Sequence, residues 1–421
     1  MSEISLNPEP SKSLLENAKE RLEKFRSLNL NLNMTRGKPS PKQLDLASNM
    51  LTILKSEDYK SRNGTDCRNY GVLDGLDEAK ELFASFMEVS TEKIIIAGNS
   101  SLALMHDNIT QALLKGVPGS EKPWCQEEKI KFICPVPGYD RHFNLCKHFG
   151  IEMISVALGE DGPVMDTVEA LVQTDSAIKG MWCVPKYSNP TGAVYSDKVI
   201  ERLANMQTKA ADFRIWWDNA YAVHPIHGDP APIANLLTLC EKAKHPNRAL
   251  MFGSTSKISF AGAGVAVMAA SEENLDAFRN NISMQTIGAD KLNQLRHVYF
   301  FKNMEGIDAH MQKHADILRP KFRMVEDVLT RELGETGLAT WTKPQGGYFV
   351  SLNTKPGLAK KVVALAKEVG VALTAAGATF PHREDPQDSN IRLAPSLPSV
   401  EEIETAMEVV AVCIQVLSLE G

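Results

Sequence analysis

Residues 213–221 read FRIWWDNAY, and residues 249–257 read ALMFGSTSK. Both stretches begin with a short apolar run, which is typical of a buried β-strand, and both end in polar residues. In a parallel sheet the carboxyl ends of the strands meet at one edge, and ligands bind beyond that edge. The sequence therefore predicts a functional site that includes Asp218, Tyr221 and Lys257.

Seven apolar runs of this kind predict the strands of one sheet. Many of their residues are β-branched or aromatic, and helical stretches alternate with the runs along the chain. This alternation predicts an α/β domain built on a mainly parallel, seven-stranded sheet that is buried on both faces. The runs cover residues 93–97, 131–134, 152–156, 180–184, 213–217, 249–252 and 265–269.

Both ends of the chain depart from this alternation and predict a smaller α+β domain. We expect a large domain over residues 50–290 and a small domain made of residues 1–49 and 291–421. The polar stretch at residues 382–389 is interpreted as a surface loop or a lid. The pattern in these end segments predicts helices over residues 11–25, 288–333, 360–368 and 400–417, and strands over residues 341–352 and 390–393.

The composition is that of an ordinary globular protein, because 43% of the 421 residues are hydrophobic and 23% are charged. Lysine and arginine total 46 against 52 acidic residues, and this net charge of -6 does not indicate a nucleic-acid or anionic-membrane partner. The seven cysteines are scattered and form no C-x-x-C pair, which favours a reducing compartment. The sequence shows no signal-peptide core and no apolar stretch of membrane-spanning length. We therefore expect a cytoplasmic protein.

The spacing of several motifs adds to the evidence from the strand ends. Asn189 begins an N-P-T-G turn, Asp218 follows 29 residues later, and Lys257 lies 36 residues beyond Tyr221. The motif PQGGYF at residues 344–349 and an N-I-R motif that ends at Arg392 come later in the chain. In this order the sequence resembles the class I aminotransferase (aspartate aminotransferase) superfamily of fold-type I pyridoxal-phosphate enzymes. The resemblance covers nearly the whole chain.

The resemblance implies pyridoxal 5′-phosphate as the cofactor, which acts as an electron sink. Lys257 would hold the cofactor as a Schiff base and then move the substrate α-proton. Asp218 would keep the pyridine nitrogen protonated, while Tyr221 and Asn189 would hydrogen-bond the phenolic oxygen.

Further residues are implied around the cofactor's phosphate and ring. Backbone amides at a helix start and nearby hydroxyls bind phosphates, and the candidates of this kind are Asn99, Ser100, Ser101, Ser254 and Ser256. Tyr139 matches the aromatic position that stacks on the pyridine ring. Tyr70 matches a tyrosine that reaches the phosphate from a neighbouring subunit, so the resemblance implies a homodimer with shared sites.

The substrate is expected to be held mainly by arginines. Arg392 corresponds to the arginine that binds the substrate α-carboxylate, and Gly37 corresponds to a glycine in the segment that closes over the substrate. Asn189 is expected to contact the substrate as well. We assign the distal carboxylate of a dicarboxylic substrate to Arg36 and Arg141, which lie beside these segments.

One motif departs from the pattern of the superfamily. Most members carry an arginine that grips the phosphate in G-x-R-x-G, whereas residues 262–266 read GAGVA with Gly264 at that place. This segment, with T-R-G-K-P-S and G-N-S-S-L, resembles a divergent branch of the aspartate aminotransferases. The same glycines lack the spacing of a dinucleotide-binding loop. His142, Cys146 and His148 lack a second ligand pair, so we expect them on a helix and expect no metal site.

The sequence thus favours a pyridoxal-phosphate aminotransferase that converts aspartate and 2-oxoglutarate by ping-pong half-reactions. An alanine-glyoxylate-type or other transaminase and a carbon-sulfur β-lyase are alternatives, because the lysine chemistry is shared and the distal contacts decide the substrate. A pyridoxal-phosphate-binding regulatory module is a remote alternative from another functional class.

Overall fold

The structure is a computed structural model that describes residues 8–420. Residues 1–7 and 421, which the prediction assigns to the small domain, lie outside the described residues. The helices are α1 (Pro8–Ser27), α2 (Pro41–Asp45), α3 (Asp77–Met87), α4 (Ser101–Lys115), α5 (Asp140–His148), α6 (Met165–Thr174), α7 (Asp197–Asn205), α8 (Leu236–Lys242), α9 (Glu272–Ile282), α10 (Lys291–Phe301), α11 (Met304–Leu333), α12 (Ala359–Glu368) and α13 (Val400–Glu420). The strands are β1 (Leu32–Asn33), β2 (Ile94–Ile96), β3 (Lys131–Val136), β4 (Glu152–Gly159), β5 (Gly162–Pro163), β6 (Ile178–Cys183), β7 (Arg214–Asp218), β8 (Ala249–Ser254), β9 (Ala266–Ala270), β10 (Ala339–Trp341), β11 (Val350–Thr354), β12 (Val371–Ala372) and β13 (Asn390–Leu393).

The centre of the fold is a sheet with the strand order β2-β9-β8-β7-β6-β3-β4-β5. Strands β8, β7, β6, β3 and β4 pair in parallel, whereas β9 runs antiparallel to both of its neighbours. The predicted α/β fold with a mainly parallel sheet is therefore confirmed. The expected number of seven strands is too low by one, because the two-residue edge strand β5 is too short to form an apolar run.

Helices bury both faces of this sheet, as the continuous apolar strands predict. Along β7, Ile215 and Trp217 belong to one hydrophobic cluster, while Trp216 between them belongs to a second cluster on the opposite face. The alternation of side chains along a strand explains this division. The polar residues that follow the strands are consequently held at the edge of a sheet that is covered on both sides.

A third hydrophobic cluster joins the two ends of the chain. Helix α1 packs against α13, and β1 pairs in parallel with β12, where Leu32 lies opposite Val371. Strands β10, β11 and β13 form a separate antiparallel sheet beside them. This third cluster also contains Tyr187 and Tyr221 from the central part of the chain. The division into a large and a small domain at residues 50 and 290 stays a prediction.

Two of the predicted elements are interrupted. The helix predicted over residues 288–333 is divided into α10 and α11, because Lys302 has a positive φ of 67° and the Asn303 side chain caps the start of α11. The strand predicted over residues 341–352 is divided into β10 and β11. Between them the PQGGYF segment turns toward the large sheet, and the amide of Gly347 donates to the carbonyl of His224 at 2.9 Å.

The polar stretch at residues 382–389 is held in place by one carboxylate. Asp385 accepts hydrogen bonds at 2.8 to 3.0 Å from the backbone amides of Gln387, Ser389 and Asn390. These bonds tie the stretch to the start of β13. They favour the surface-loop interpretation over the lid.

Within residues 8–420, no helix has the length and apolar character that are needed to cross a membrane.

A buried histidine that contacts Thr255, two residues before Lys257, makes the stability of the fold depend on pH. The His297 Nδ1 atom donates to the Asn293 carbonyl at 2.7 Å, and its Nε2 atom accepts from the Thr255 hydroxyl at 3.0 Å. Burial lowers the pKa of His297 to about 4. Because the unfolded chain takes up this proton at a higher pH, the free energy of unfolding must fall as the pH drops from about 6.5 toward 4.

We predict that His297→Gln reduces this pH dependence by up to about 1.4 kcal/mol per pH unit between pH 6.5 and 4. Urea unfolding at several pH values would measure the slope, with the exposed His148→Gln as the matched control. Equal slopes for wild type and His297→Gln would contradict the prediction.

Candidate active site

A cleft with a cavity volume of about 80 Å³ opens at the carboxyl ends of the central strands. Phe349 from the PQGGYF motif and Met105 from α4 contribute apolar walls. Seven of the residues predicted from the sequence line this cleft, namely Gly37, Ser101, Tyr139, Asn189, Asp218, Tyr221 and Lys257.

Lys257 lies in the turn after β8 with its amine inside the cleft. The Nζ atom is 4.8 Å from the centre of the Tyr221 ring. Burial lowers the pKa of Lys257, while the negative charge of Asp218 opposes this shift. A lysine with a lowered pKa is present to a larger fraction as the free amine near neutral pH, and only the free amine can act as a nucleophile or a base.

Asp218 ends β7 and is buried. One carboxylate oxygen, Oδ2, lies 3.0 Å from Nε2 of His142. The other oxygen, Oδ1, is buried and has no hydrogen-bond partner among the described residues. A buried carboxylate oxygen without a donor is costly, so this arrangement favours a ligand that brings an N–H group.

His142 lies on α5, as expected, but it is part of the site and not of the helix surface. Its ring is stacked on Trp182 with a centroid distance of 4.2 Å and an interplanar angle of 5°. The ring of Tyr139, which precedes α5, lies edge-on to the His142 ring with a centroid distance of 5.0 Å. Burial, followed by the charge of Asp218, raises the pKa of Tyr139 to about 12, so the phenol is neutral at physiological pH.

Arg392 lies on β13 and is bound by two oxygen atoms. Its Nη1 atom donates to Asp140 Oδ1 at 2.8 Å and to Asn189 Oδ1 at 3.3 Å. The guanidinium carbon lies 5.0 Å from the centre of the Phe349 ring. Its Nε atom is buried without an acceptor among the described residues, which leaves a donor for an anionic ligand.

The predicted phosphate-binding residues lie next to one another. Ser100 precedes the 15-residue helix α4, and its side chain makes no capping hydrogen bond. The Ser254 and Ser256 hydroxyls are 3.3 Å apart, and Ser256 also donates to the carbonyl of Asn99 at 3.3 Å. Hydroxyls thus surround the positive end of a helix, which is a suitable place for an anion.

The glycine that replaces the usual arginine has a steric reason. A Cβ atom on Gly264 would lie 3.0 Å from Thr255 Oγ1 and 3.1 Å from the Ser256 amide nitrogen. The backbone at Gly264 therefore passes directly against the turn that carries Lys257. A side chain at this position would push that turn away, so the phosphate region depends on close packing of the backbone.

Eight of the predicted residues are not among those that line the cleft: Arg392, Asn99, Ser100, Ser254 and Ser256, which are described above, and Tyr70, Arg36 and Arg141. Tyr70 is largely exposed, and its segment is held by Lys291, whose amine donates to the Gly71 carbonyl at 2.9 Å. Arg36 and Arg141 are also exposed, although each is adjacent in sequence to a residue of the site. The roles assigned to these three residues stay predictions.

The structure also brings in residues that the sequence did not assign to the site. Asp140 contacts Arg392, and its only signal was its position beside Tyr139. His224 and Tyr348 contact the main chain of Lys257. Tyr348 belongs to the PQGGYF motif, whereas His224 lies three residues after Tyr221 in an apolar context that did not distinguish it.

Comparison with known proteins adds independent evidence. The family model described as aspartate amino-transferase matches residues 6–421. The chain belongs to this family. An aspartate aminotransferase from Corynebacterium glutamicum is 47% identical over 405 residues, which covers 96% of this chain and 94% of that relative.

Solved structures agree with this membership. The crystal structure of an aspartate transaminase from Corynebacterium glutamicum superimposes with a TM-score of 0.96 at 46% identity, covering 99% of this chain and 98% of the other. An α-aminoadipate aminotransferase from Thermus thermophilus, complexed with N-(5′-phosphopyridoxyl)-L-leucine, has a TM-score of 0.75 at 20% identity and covers 98% of this chain and 97% of its own. The second likeness concerns the fold alone. The predicted superfamily and the predicted aminotransferase activity are confirmed.

Proposed function

We propose that this aminotransferase uses pyridoxal 5′-phosphate to move an amino group between aspartate and 2-oxoglutarate. The observation that carries the proposal is the pairing of Lys257, whose pKa is lowered by burial, with Asp218, whose Oδ1 atom is buried without a partner. An amine and a carboxylate with unused bonding capacity at one cleft suit a ligand that carries both an aldehyde and a protonated ring nitrogen.

The residues of the cleft fit this cofactor at each of its functional groups. The Lys257 amine would hold its aldehyde carbon covalently, and Asp218 would bind its ring nitrogen. The start of α4 and the hydroxyls of Ser254 and Ser256 would bind its phosphate. When bound, pyridoxal phosphate supplies an electron sink for the electron pair that remains after the substrate α-proton leaves.

Lys257 would serve twice in each half-reaction. Burial lowers the pKa of its amine, so the amine can be uncharged when the substrate amine displaces it. The free amine would then accept the α-proton of the substrate and donate it to the former aldehyde carbon of the cofactor. Tyr221 and Asn189 would donate hydrogen bonds to the phenolic oxygen of the cofactor.

Arg392 would bind the α-carboxylate of the amino acid. Its guanidinium plane is fixed by Asn189 and Asp140 on one side and by the Phe349 ring on another. The unpartnered Nε atom supplies a free donor. Gly37 allows its segment to lie against Phe349, because a Cβ atom there would be 2.2 Å from the ring, and this contact helps to exclude water.

We predict that Lys257→Ala lowers kcat by about 10³-fold, because the residue that accepts the proton is removed. Borohydride reduction of the wild-type protein should place a phosphopyridoxyl label on the peptide that contains Lys257. The label and the visible absorbance of the bound cofactor should both be absent in Lys257→Ala.

Lys186→Ala is the matched control, because Lys186 is also buried and burial also lowers its pKa. This variant should keep the label on Lys257. A label that persists in Lys257→Ala would show that another lysine holds the cofactor.

The distal carboxylate of aspartate is assigned to Arg36 and Arg141. Both residues are exposed, and in the sequence they lie next to Gly37 and two residues after Tyr139, which line the cleft. The preference for aspartate is supported by the family and by the name of the Corynebacterium glutamicum relative.

We predict that Arg141→Met or Arg36→Met lowers kcat/KM for aspartate by about 10–100-fold, the usual loss for a charge-assisted carboxylate bond. The value for alanine should change by less than twofold, because alanine has no distal carboxylate. A panel of amino donors and acceptors would measure both. Faster turnover of alanine with glyoxylate, or pyruvate release from cystine without an acceptor, would instead support one of the alternative activities.

We further propose that the protein is a homodimer in the cytoplasm. Tyr70 is 82% exposed, and Met284 and Ile287 are 80% and 60% exposed. Tyr70 and Ile287 line the same surface groove. A cluster of exposed apolar side chains is typical of a protein interface, and it supports a second copy that receives Tyr70.

All seven cysteines are free thiols, which supports a reducing compartment.

We predict that the wild-type protein sediments with twice the mass of one chain. Ile287→Arg should shift it toward the monomer and reduce activity, because a charge would be buried without a partner in the interface. Leu114→Arg is the control, since Leu114 is similarly exposed but lies on α4 in a different groove. A monomeric wild-type protein, or a dimer unaffected by Ile287→Arg, would contradict this assignment of the interface.

A further inference from the structure

Among residues 8–420, the main-chain carbonyl of Lys257 accepts hydrogen bonds from side chains alone. His224 Nε2 lies 3.2 Å from this oxygen, and the Tyr348 hydroxyl donates to it at 3.3 Å. The next carbonyl, that of Ile258, lies 2.8 Å from His310 Nε2. A carbonyl oxygen only accepts hydrogen bonds, so the His224 Nε2 atom must carry its proton.

His224 is buried in a setting that does not favour an imidazole. Its ring lies edge-on to Tyr221 at 5.5 Å and to Tyr348 at 5.8 Å, and its Nδ1 atom has no partner among the described residues. Burial, followed by the nearby Lys257, lowers the pKa of His224 to about 3, so the ring stays neutral. A phenylalanine would fill the same space without an unpartnered nitrogen, and the benefit of histidine is therefore the N–H group that faces Lys257.

The second donor connects the Lys257 turn to the N-terminal segment. The Tyr348 hydroxyl accepts a hydrogen bond from Gln43 Nε2 at 3.0 Å. Gln43 in turn accepts at Oε1 from the amide of Ser40, also at 3.0 Å. Ser40 lies three residues after Gly37, which lines the cleft. The turn with the reactive amine and the segment that carries Gly37 are thus joined through one tyrosine.

We propose that His224 is a positioning residue that, together with Tyr348, fixes the main chain of Lys257 so that its amine reaches the cofactor and the substrate α-carbon. The inference rests on the proposed role of Lys257. A lysine side chain has four flexible bonds, so the position of its Nζ atom is defined only if its backbone is fixed. Small displacements of a reacting group reduce the rate more than they reduce substrate binding.

The experiment compares His224→Phe, which keeps an aromatic ring and removes the donor, with His224→Gln, whose amide can restore an N–H group at the Nε2 position. We expect His224→Phe to lower kcat for aspartate by about tenfold, in line with the loss of one buried hydrogen bond, and to change KM by less than twofold. His224→Gln should recover kcat to within threefold of wild type. Tyr348→Phe should resemble His224→Phe.

A second measurement does not depend on turnover. Apo protein is mixed with pyridoxal phosphate, and the rate at which the Lys257 peptide becomes labelled by borohydride is followed by mass spectrometry. We expect this rate to fall at least fivefold in His224→Phe and to recover in His224→Gln. Tyr195→Phe is the control, because Tyr195 is a buried tyrosine that packs on Trp217 and makes no contact with the Lys257 carbonyl.

Three results would overturn this inference without affecting the proposed function. These are unchanged kcat and labelling in His224→Phe, a failure of His224→Gln to recover either one, and an equal loss in Tyr195→Phe. The thermal midpoints of the apo proteins show whether a loss of activity reflects general destabilisation. A midpoint that falls in His224→Phe alone, by enough to account for its loss of activity, would also contradict a positioning role. A wild-type protein without any label on Lys257 would overturn the proposed function itself, and is recognised before any variant is measured.

Discussion

The site depends on one balance between desolvation and charge. Burial disfavours the ammonium form of Lys257, and the carboxylate of Asp218 favours it. This balance is possible because helices cover both faces of the sheet, so the strand ends and the residues around the cleft provide surroundings of low polarity. The residues around the pair are consistent with this balance. Burial keeps the Tyr139 phenol and the His224 ring neutral, so the charge of Asp218 is the one that raises the pKa of Lys257.

Much of this arrangement could be predicted from the sequence, because strand ends and catalytic residues coincide along the chain. In β7 the functional residue Asp218 ends the apolar run, and in β8 the run leads into the turn that carries Lys257, so the local pattern was sufficient there. The ion pair of Asp140 with Arg392 joins positions 252 residues apart, and no local pattern reveals it. The same holds for His224, whose importance comes from a carbonyl oxygen supplied by another segment.

The errors in secondary structure have local physical causes. The predicted helix over residues 288–333 keeps its apolar periodicity through Lys302, but a positive φ at that residue and the capping side chain of Asn303 end one helix and begin the next. The predicted strand over residues 341–352 contains Pro344 and two glycines, which turn the chain toward His224 and place Phe349 over the cleft. In both cases the interruption orients a later segment, and apolar spacing alone contains no information about that orientation.

The pairing of β1 with β12 has a consequence for how the protein is made. Leu32 lies opposite Val371, so the segment that carries Gly37 obtains its strand partner only after almost nine-tenths of the chain has left the ribosome. Helix α1 packs against α13, which is synthesised later still. The large sheet can form during synthesis, whereas the wall of the cleft that contains Gly37 is added at the end. A nascent chain that stops early would therefore hold the lysine and the aspartate without an enclosed site.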